Sequence, residues 1–513
     1  MEGSADVSRF AATVFAVVVA AFAAAGALLL VYVFGVNLPY WDEWVHLQVL
    51  LKFSAGELSA GDLFAQYNES RKVFPRLVII ALATLTGGDQ RGQMYLSVVI
   101  VAATVALVGV VARRTVPGSW AGLTAVAAVV LFSWAQWQNW LWGIQFVCFV
   151  PLACLMGVLA LSGSAVRPWV RVAGSAGLCV LATFTYANGM LLWVLAAAAL
   201  AVYRETRSVR YLTPLAALAA VCIGAYFAGY VRPAWTPTFG DSLSDPVRLA
   251  HYFVVLVGGA FSPKELGPLV GVHGVLLATA LGTAVLGALA GGTWGAIREN
   301  RAVALPWLIV AAYSLISMTA TSLGRSPFGV ENAMLSRYAT FSLPLVVAAV
   351  ALLRVGGWPR AATAAGAVAA ALTVAASVAV LAPVGTVSER QRAGRVMLHF
   401  CLTAPDATQT TLVADVAERR LIVPTAVRLS AAGLLSPPIS PDGDLRPLLV
   451  AMPESQTRFD AIVAALPRAD GALIVVRVFP ATTGPDRFPP LPAGARLYRV
   501  RGDRLRAFPL TPR

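Results

Sequence analysis

The segment Phe10–Phe34 reads FAATVFAVVVAAFAAAGALLLVYVF and contains no charged side chain. A helix needs roughly 20 apolar residues to cross a hydrocarbon core of about 30 Å. The segment is therefore long enough to span a membrane, and it is longer than the apolar core of a signal peptide. Because the stretch Asn37–Tyr40 that follows does not resemble a cleavage site, we expect an uncleaved first membrane helix.

Apolar segments of similar length recur along the chain, which is 58% hydrophobic and only 12% charged. A soluble protein usually carries about 25% charged residues. We therefore predict an all-α polytopic membrane protein. Its expected spans, about eleven, lie near residues 10–34, 93–112, 119–136, 141–162, 170–186, 188–203, 211–231, 268–290, 303–320, 338–354 and 361–383. The shorter apolar stretches 74–86 and 249–261 are predicted to be interfacial or re-entrant helices.

The basic residues predict the orientation of these spans. With the N-terminus in the cytoplasm, the inner segments hold twelve basic and four acidic residues, and the outer segments before the C-terminal region hold ten of each. Cytoplasmic loops of membrane proteins are enriched in Lys and Arg. We predict a multi-pass protein of the cell membrane with a cytoplasmic N-terminus. Segment 35–92 and the chain after about residue 384 are then extracytoplasmic.

The last quarter of the chain differs in composition from the rest. We divide the chain into a membrane domain, residues 1–385, and a soluble extracytoplasmic domain, residues 386–513. The second is polar, rich in proline and alternates between two patterns, so we predict a small α/β domain. Phe459–Leu466 has a helix-like pattern, whereas Ala472–Val478 and Ala495–Val500 have strand-like patterns.

The net charge of +14 does not indicate nucleic acid as a partner. The basic residues stand singly or in pairs between apolar runs, and they form no basic arm or stripe. The five cysteines include no CxxC and no ligand-like spacing, so neither a disulfide framework nor a zinc site is predicted. Membrane lipid is the expected surrounding of the chain.

A pair of adjacent acids, Asp42 and Glu43, follows the first span inside the aromatic stretch Pro39–His46. Carboxylates near lipid cost free energy and usually have a function there. The alternative for Asp42 is a helix cap. His46 lies one turn after Asp42 on the same helical face, where it orients a carboxylate, joins a metal site or is structural.

The first outer segment continues with Asn68-Glu69-Ser70-Arg71 and a proline-led apolar helix, before a second span that ends in Arg113-Arg114. Over residues 1–115 this arrangement resembles the N-terminal module of GT-C glycosyltransferases, membrane enzymes that use polyprenyl-phosphate sugars. The four residues are similar to an Asn-Glu-His-Arg pattern of uncharacterised bacterial members, with Ser70 in place of His. The resemblance extends loosely through the later spans and does not reach the C-terminal domain.

The resemblance implies a reaction and roles for particular residues. In that family an outer-loop acid takes the proton of an acceptor hydroxyl, whose oxygen attacks the anomeric carbon with inversion while the lipid phosphate leaves. Asp42 is the expected base and Glu43 the second choice, with substrate contacts from Asn68, Glu69 and Arg71. Some family members use a divalent cation, Mg or Mn, and the acidic pair does not decide whether this chain does. No other cofactor is predicted.

A second cluster contains Arg325, Arg337 and Tyr338, in a late outer segment. Arginine on the outer face opposes the topological bias, and a guanidinium suits the oxygens of a leaving phosphate. The resemblance implies Arg337 as the phosphate ligand, with Arg325 supporting it. The alternative is that these side chains snorkel to lipid headgroups.

A third cluster places Gln138, Asn139 and Gln145 among four tryptophans in the stretch Trp134–Gln145. Aromatic faces combined with amides are typical of sugar binding. An aromatic belt at the membrane interface is the alternative.

The sequence leaves four functional hypotheses open, the last of which is a non-catalytic scaffold that gives the paired acids and the outer arginines no function. The first is a glycosyltransferase that moves a sugar from a polyprenyl-phosphate donor to a glycan, lipid or protein acceptor of the bacterial cell envelope. The second is a polymerase or ligase of lipid-linked oligosaccharides, which relies on outer arginines and needs no acid after the first span. The third is a transporter or flippase, although internal repeats and charged residues inside the spans, which are typical of transporters, are not seen.

Overall fold

The computed structural model describes residues 2–264, 272–400, 419–435, 459–467, 473–480, 482–483, 491, 493–502 and 504–507. These residues are predominantly helical, with little sheet. Eight helical segments are long and apolar enough to cross a membrane. The protein is therefore a helical, polytopic membrane protein by the length and composition of its helices, as the sequence predicts.

In chain order the helices are α1 (Glu2–Phe34), α2 (Glu43–His46), α3 (Gln48–Ser54), α4 (Ala60–Phe64), α5 (Val73–Thr86), α6 (Arg91–Thr115), α7 (Trp120–Leu131), α8 (Trp137–Leu141), α9 (Phe146–Ser162), α10 (Pro168–Thr183), α11 (Leu192–Ala201), α12 (Val209–Phe227), α13 (Phe239–Leu243), α14 (Pro246–Gly258), α15 (Val272–Arg325), α16 (Ala339–Val355), α17 (Pro359–Ala379), α18 (Leu381–Phe400) and α19 (Arg419–Ala431). The strands are β1 (Gln66–Tyr67), β2 (Ser70–Arg71), β3 (Phe459–Pro467), β4 (Leu473–Pro480), β5 (Arg496–Gly502) and β6 (Arg504–Ala507).

Helices α1 and α16 show the two environments of the membrane segments. The large side chains Phe10, Phe22 and Tyr32 of α1 are 71%, 82% and 65% exposed. An apolar surface of this kind needs lipid or a partner around it. Helix α16, by contrast, is buried on almost every face. The helices therefore form a bundle with α16 at its centre and α1 at its periphery.

Helices are observed at the predicted spans, with differences in the middle of the chain. The predicted spans 170–186 and 188–203 are observed as α10, with 16 residues, and α11, with 10, and neither is among the eight segments long and apolar enough to cross a membrane. The described part of the predicted span 268–290, from residue 272, and the span 303–320 lie in one long helix, α15, which is broken at Asn300 (φ −159°, ψ 93°). The Asn300 Oδ1 accepts a hydrogen bond from the backbone N–H of Val303 at 3.2 Å, so this side chain caps the second arm. The two predicted short helices are observed as α5, with 14 residues, and α14, with 13.

Residues 35–92, predicted to be extracytoplasmic and here named the first outer segment for that prediction, fold into short elements that return the chain toward α1. Helix α4 begins with a capping box between Ser59 and Asp62. Strands β1 and β2 form a hairpin with a two-residue turn, in which Asn68 has a φ of +48°. Asparagine is among the residues that tolerate this left-handed conformation, so the turn explains its presence at this position.

The described part of the C-terminal region contains an antiparallel sheet with the strand order β4-β3-β5-β6. The strand-like patterns of Ala472–Val478 and Ala495–Val500 are confirmed as β4 and β5. The helix predicted at Phe459–Leu466 is wrong, because this stretch is the central strand β3. The adjacent residues Ile462 and Val463 point to opposite faces of the sheet and belong to separate cores. A strand buried on both faces is a continuous apolar run, which periodicity does not distinguish from a helix.

The C-terminal elements share a hydrophobic core with the first outer segment. Side chains of α19 and of the sheet pack with Leu47 and Trp44 of that segment. Gln48 donates a side-chain hydrogen bond to the Thr425 hydroxyl of α19 at 2.6 Å. Helix α18 follows α17 directly, and its Ser388 hydroxyl donates to the Phe34 carbonyl at the end of α1 at 2.8 Å. The C-terminal elements therefore cover the segment that carries Asp42.

Candidate active site

The backbone just before Asp42 has an unusual conformation. Trp41 has a φ of +49°, which is rare for a large side chain. Such a conformation persists where surrounding contacts hold it. The Trp41 ring lies 5.5 Å from the ring centroids of both Tyr40 and Trp142. These aromatic contacts therefore fix the turn that presents the acidic pair, and they bring the first and third clusters together.

The Asp42 side chain does not cap helix α2, although it occupies the N-cap position. Its Oδ1 is closed off from solvent and, within the described part of the chain, has no hydrogen-bond partner. Burial raises the pKa of Asp42, while Lys72, a hydrogen bond from Tyr67 and the charge of Arg337 act in the opposite direction. The capping interpretation is therefore wrong. Asp42 is a carboxylate with free acceptor capacity beside two cations.

The neighbouring Glu43 is only 2% exposed, and both of its oxygens are used by the backbone. Its Oε2 accepts from the Tyr40 N–H at 2.6 Å, and its Oε1 accepts from the Ile144 N–H at 2.7 Å. Burial raises the pKa of Glu43 to about 8, and the two backbone donors oppose this rise. Glu43 thus ties the first outer segment to the turn before α9.

A buried lysine and histidine lie next to Asp42. The Lys72 Nζ is 3.2 Å from His46 Nε2, and it lies 5.2 Å from the centroid of the Tyr67 ring. The His46 ring packs edge-on against Tyr67, at 4.4 Å between centroids. His46 therefore contacts a cation rather than the carboxylate that the sequence suggests.

The first and second clusters meet through an ion pair. Arg325 Nη2 lies 2.9 Å from Glu69 Oε1, and the Arg325 guanidinium lies 4.6 Å from the centroid of the Trp235 ring. Glu69 also accepts a hydrogen bond from the Thr236 hydroxyl at 3.3 Å. The Arg325 side chain is 19% exposed, so it is enclosed by protein rather than extended toward headgroups. The Tyr338 side chain is hydrogen-bonded to it.

Arg337 differs from Arg325, because no acidic partner lies within ion-pair distance of it among the residues described. Its guanidinium stands 5.3 Å from the centroid of the Tyr338 ring and is near enough to Asp42 for their charges to interact. Asn139 donates a hydrogen bond to the Arg337 carbonyl at 2.9 Å. A residue of the third cluster thus holds the backbone that carries this arginine.

The tryptophans of the third cluster are packed inside the protein. Trp137, Trp140 and Trp142 are 4%, 0% and 6% exposed, so these three do not form a belt at the membrane interface. The Gln138 Oε1 is closed off from solvent and has no hydrogen-bond partner in the described ranges. The Gln145 Oε1 accepts a hydrogen bond from the Cys148 thiol at 3.0 Å. The Asn139 Oδ1 is in the same state, so Gln138 and Asn139 are the two amides of this cluster with acceptor capacity to spare.

Arg71 makes contacts of a structural kind. Its guanidinium donates to the carbonyls of Phe64, Tyr226 and Ala228, which ties the β1–β2 hairpin to the end of α12. The Asn68 carbonyl accepts from the Gln66 amide at 2.8 Å within the hairpin turn. These contacts explain both residues without a substrate.

No group of three or more His, Cys, Asp or Glu side chains suited to a metal ion occurs in the described residues. A cleft of about 320 Å³ lies at the other end of the bundle, lined among others by Thr115, Asn300 and Arg354. It shares no residue with the three clusters.

Sequence reasoning missed Lys72 and Tyr67 as members of this site. Both stand next to predicted site residues in the chain, but nothing in their spacing marks them as neighbours of Asp42. The hairpin turn at Asn68 brings them there.

Comparison of the chain with protein-family models, curated proteins and solved structures finds no match.

Proposed function

We propose that this protein is a membrane glycosyltransferase of the GT-C kind, with Asp42 as general base. The observation that supports this most directly is the state of the Asp42 carboxylate. One of its oxygens has no partner among the described residues, and it lies beside an arginine, Arg337, that likewise lacks an ion-pair partner there. A general base needs an oxygen that is free to accept the substrate proton. An arginine that binds a phosphate needs a guanidinium that is not already paired with a carboxylate of the protein.

The proposed reaction transfers a sugar from a polyprenyl phosphate to an acceptor hydroxyl. Asp42 accepts the hydroxyl proton as the acceptor oxygen forms a bond to the anomeric carbon. The bond between that carbon and the phosphate oxygen breaks, and its electron pair leaves with the lipid phosphate. Arg337 faces the developing phosphate charge. Attack opposite the leaving group inverts the anomeric centre.

The surroundings of the two acids favour Asp42 over Glu43 as the base. Both Glu43 oxygens already accept backbone hydrogen bonds, from Tyr40 and Ile144. Taking up a substrate proton there would weaken the contact between the first outer segment and α9. We therefore assign a structural role to Glu43 in the proposed enzyme.

The proposal also includes the number of membrane spans and their orientation. We infer eleven spans, with the two arms of α15 counted separately and with α10 and α11 included. We place the N-terminus in the cytoplasm and both the Asp42 site and the C-terminal domain outside. The acceptor is then a glycan, lipid or protein of the cell envelope, and the donor enters from the membrane.

A first test uses membranes that contain the protein and a panel of radiolabelled polyprenyl-phosphate sugars. We expect transfer of label by the wild type, its loss in Asp42→Asn, and its retention in Glu57→Gln, which changes an exposed acid of the same outer segment. Equal transfer by the wild type and Asp42→Asn would favour a polymerase or ligase that works through Arg337. Absence of transfer from every donor would refute the proposal and leave transport as the alternative.

A further inference from the structure

Lys72 is a buried cation with an uncommon partner. It is 7% exposed, and its Nζ lies 3.2 Å from the Nε2 of His46. Within the described ranges, no carboxylate oxygen lies within 4 Å of this ammonium group. Buried lysines are rare unless they are paired with a carboxylate, so a functional role for Lys72 is worth testing.

The contact between Lys72 and His46 relates the charge of one to the tautomer of the other. Burial lowers the pKa of Lys72, and the charge of Asp42 acts in the opposite direction. As an ammonium, Lys72 only donates, so the His46 Nε2 is then the unprotonated nitrogen and the ring proton is on Nδ1. Burial and the nearby charges of Lys72 and Arg76 hold the pKa of His46 well below its ordinary value. His46 therefore stays neutral near pH 7 and can hold Lys72 without adding a charge.

Tyr67 connects this pair to Asp42. The Lys72 Nζ lies 5.2 Å from the centroid of the Tyr67 ring, in the range of a cation–π contact. The Tyr67 side chain is hydrogen-bonded to Asp42, and the charge of Lys72 acts on the same carboxylate. The order of contacts is thus His46, Lys72, Tyr67 and Asp42.

We propose that Lys72 is a positioning residue whose ammonium, held by His46, keeps the Asp42 carboxylate ionised in a site largely closed to water. The idea rests on the proposed function for its catalytic meaning. Its physical content, the control of one carboxylate by one lysine, is measurable whether or not the protein transfers sugar.

Other charged or titratable groups also face Asp42. Glu43 is its neighbour in α2, Cys148 faces it from α9, and Arg337 faces it from the segment before α16. Arg337 acts in the same direction as Lys72, so removal of Lys72 weakens the stabilisation of the carboxylate without abolishing it. Glu43 acts in the opposite direction whenever it is ionised.

The test measures the protonation of Asp42 directly. A hydrophobic carbodiimide modifies protonated carboxyl groups, and fragmentation mass spectrometry distinguishes an adduct on Asp42 from one on Glu43. We expect the pH midpoint of Asp42 labelling to rise by about one unit or more in Lys72→Met, because an opposite charge is lost. Lys72→Arg, which keeps the charge, should stay closer to the wild type.

The control is Lys52→Met. Lys52 is an exposed lysine of the same outer segment and pairs with Asp62 at the surface. Lys52→Met should leave the pH midpoint of Asp42 labelling unchanged. A midpoint that is unchanged in Lys72→Met, or raised equally in Lys72→Arg, would overturn the proposal. If Lys72→Met does not fold, His46→Phe is the deciding variant, because it removes the hydrogen-bond acceptor of Lys72. We expect His46→Phe to raise the Asp42 midpoint by a smaller amount than Lys72→Met.

Transfer assays separate this proposal from the proposed function. If the enzyme is active, Lys72→Met should move the acid limb of its pH–rate profile to higher pH. If no donor supports transfer, the glycosyltransferase assignment fails. The labelling midpoints still decide whether Lys72 controls Asp42.

Discussion

Adjacent acids in one short segment have acquired different surroundings. Asp42 keeps an oxygen that is free of partners in the described chain, whereas Glu43 accepts two backbone hydrogen bonds. The difference arises because α2 turns one side chain toward Lys72 and Tyr67 and the other toward the turn that contains Ile144. Of two residues with the same chemistry, one thus keeps spare acceptor capacity and the other connects two segments of the chain.

The raised pKa of Glu43 predicts a pH dependence of stability. Its folded value of about 8 lies above its ordinary value of 4.5, so the folded protein binds this proton more tightly than the unfolded chain. The stabilisation is fully present below pH 4.5 and is lost as the pH rises through about 8. Thermal unfolding in detergent should show a melting temperature that falls across this window.

Glu43→Gln tests the origin of that slope, because glutamine does not titrate. We expect a shallower fall of the melting temperature with pH, with a residual slope from Asp42, whose pKa is raised as well. Glu57→Gln, at an exposed position, serves as the control and should keep the wild-type slope. A Glu43→Gln slope equal to that of the wild type would contradict the assignment.

At the scale of elements, the β1–β2 hairpin is what joins distant parts of the chain. Glu69 lies in its turn and accepts a hydrogen bond from Arg325, which lies 256 residues later in the chain. Its second strand carries Arg71 to the carbonyls at the end of α12. The hairpin therefore holds its own segment, residues 35–92, against the C-terminal ends of α12 and α15.

A double-mutant cycle measures how strongly Glu69 and Arg325 interact. The pair is partly exposed, at 32% for Glu69 and 19% for Arg325, so we expect a coupling of about 0.5–1 kcal/mol between Glu69→Gln and Arg325→Gln in unfolding. The pair Lys52 and Asp62, which is confined to the first outer segment, offers a comparison. Strictly additive effects of the two substitutions would show that the pair does not hold the hairpin.

The sequence predicts most elements because membrane helices carry a strong local signal. The apolar runs predict where the long helices lie, although several bounds differ, as at α7, which is predicted over 119–136 and observed over Trp120–Leu131. The prediction fails at Phe459–Leu466, since a strand buried on both faces has no polar alternation that distinguishes it from a helix. Much of the predicted domain 386–513, including residues 401–418 and 436–458, lies outside the described residues.

The candidate site was predictable only in part. Asp42 and Arg337 were predicted from the sequence, since charges at the end of a span stand out against apolar residues. Lys72 and the pairing of Arg325 with Glu69 were not, because both depend on how the hairpin folds back against helices far away in the chain. Local patterns contain no information about such contacts.

At the scale of the whole molecule, the C-terminal elements and the first outer segment form one packed unit. Their shared core includes Trp44, Leu47, Ile422 and Leu429. The two segments also approach closely at Gly88, where an added Cβ would lie 2.0 Å from the Leu434 carbonyl oxygen. The described C-terminal elements are thus packed against the segment that carries Asp42.

Gly88→Ala tests this docking. The methyl group collides with the backbone at Leu434, so the C-terminal elements should detach and become more sensitive to protease in detergent. Gly87→Ala is a matched control, because Gly87 also has a positive φ, of +61°, but open space around its Cβ position. Equal protease sensitivity of the two variants would show that backbone strain, and not docking, is responsible.

In the proposed reaction, Asp42 accepts the proton of the acceptor hydroxyl. The measurement that tests it most directly is the rate of sugar transfer by purified wild type and Asp42→Asn at saturating donor, together with donor binding by both proteins. We expect a rate lower by about 10²–10⁴-fold with donor binding retained, since loss of a general base affects the transition state. Transfer by Asp42→Asn within about twofold of the wild-type rate would contradict it.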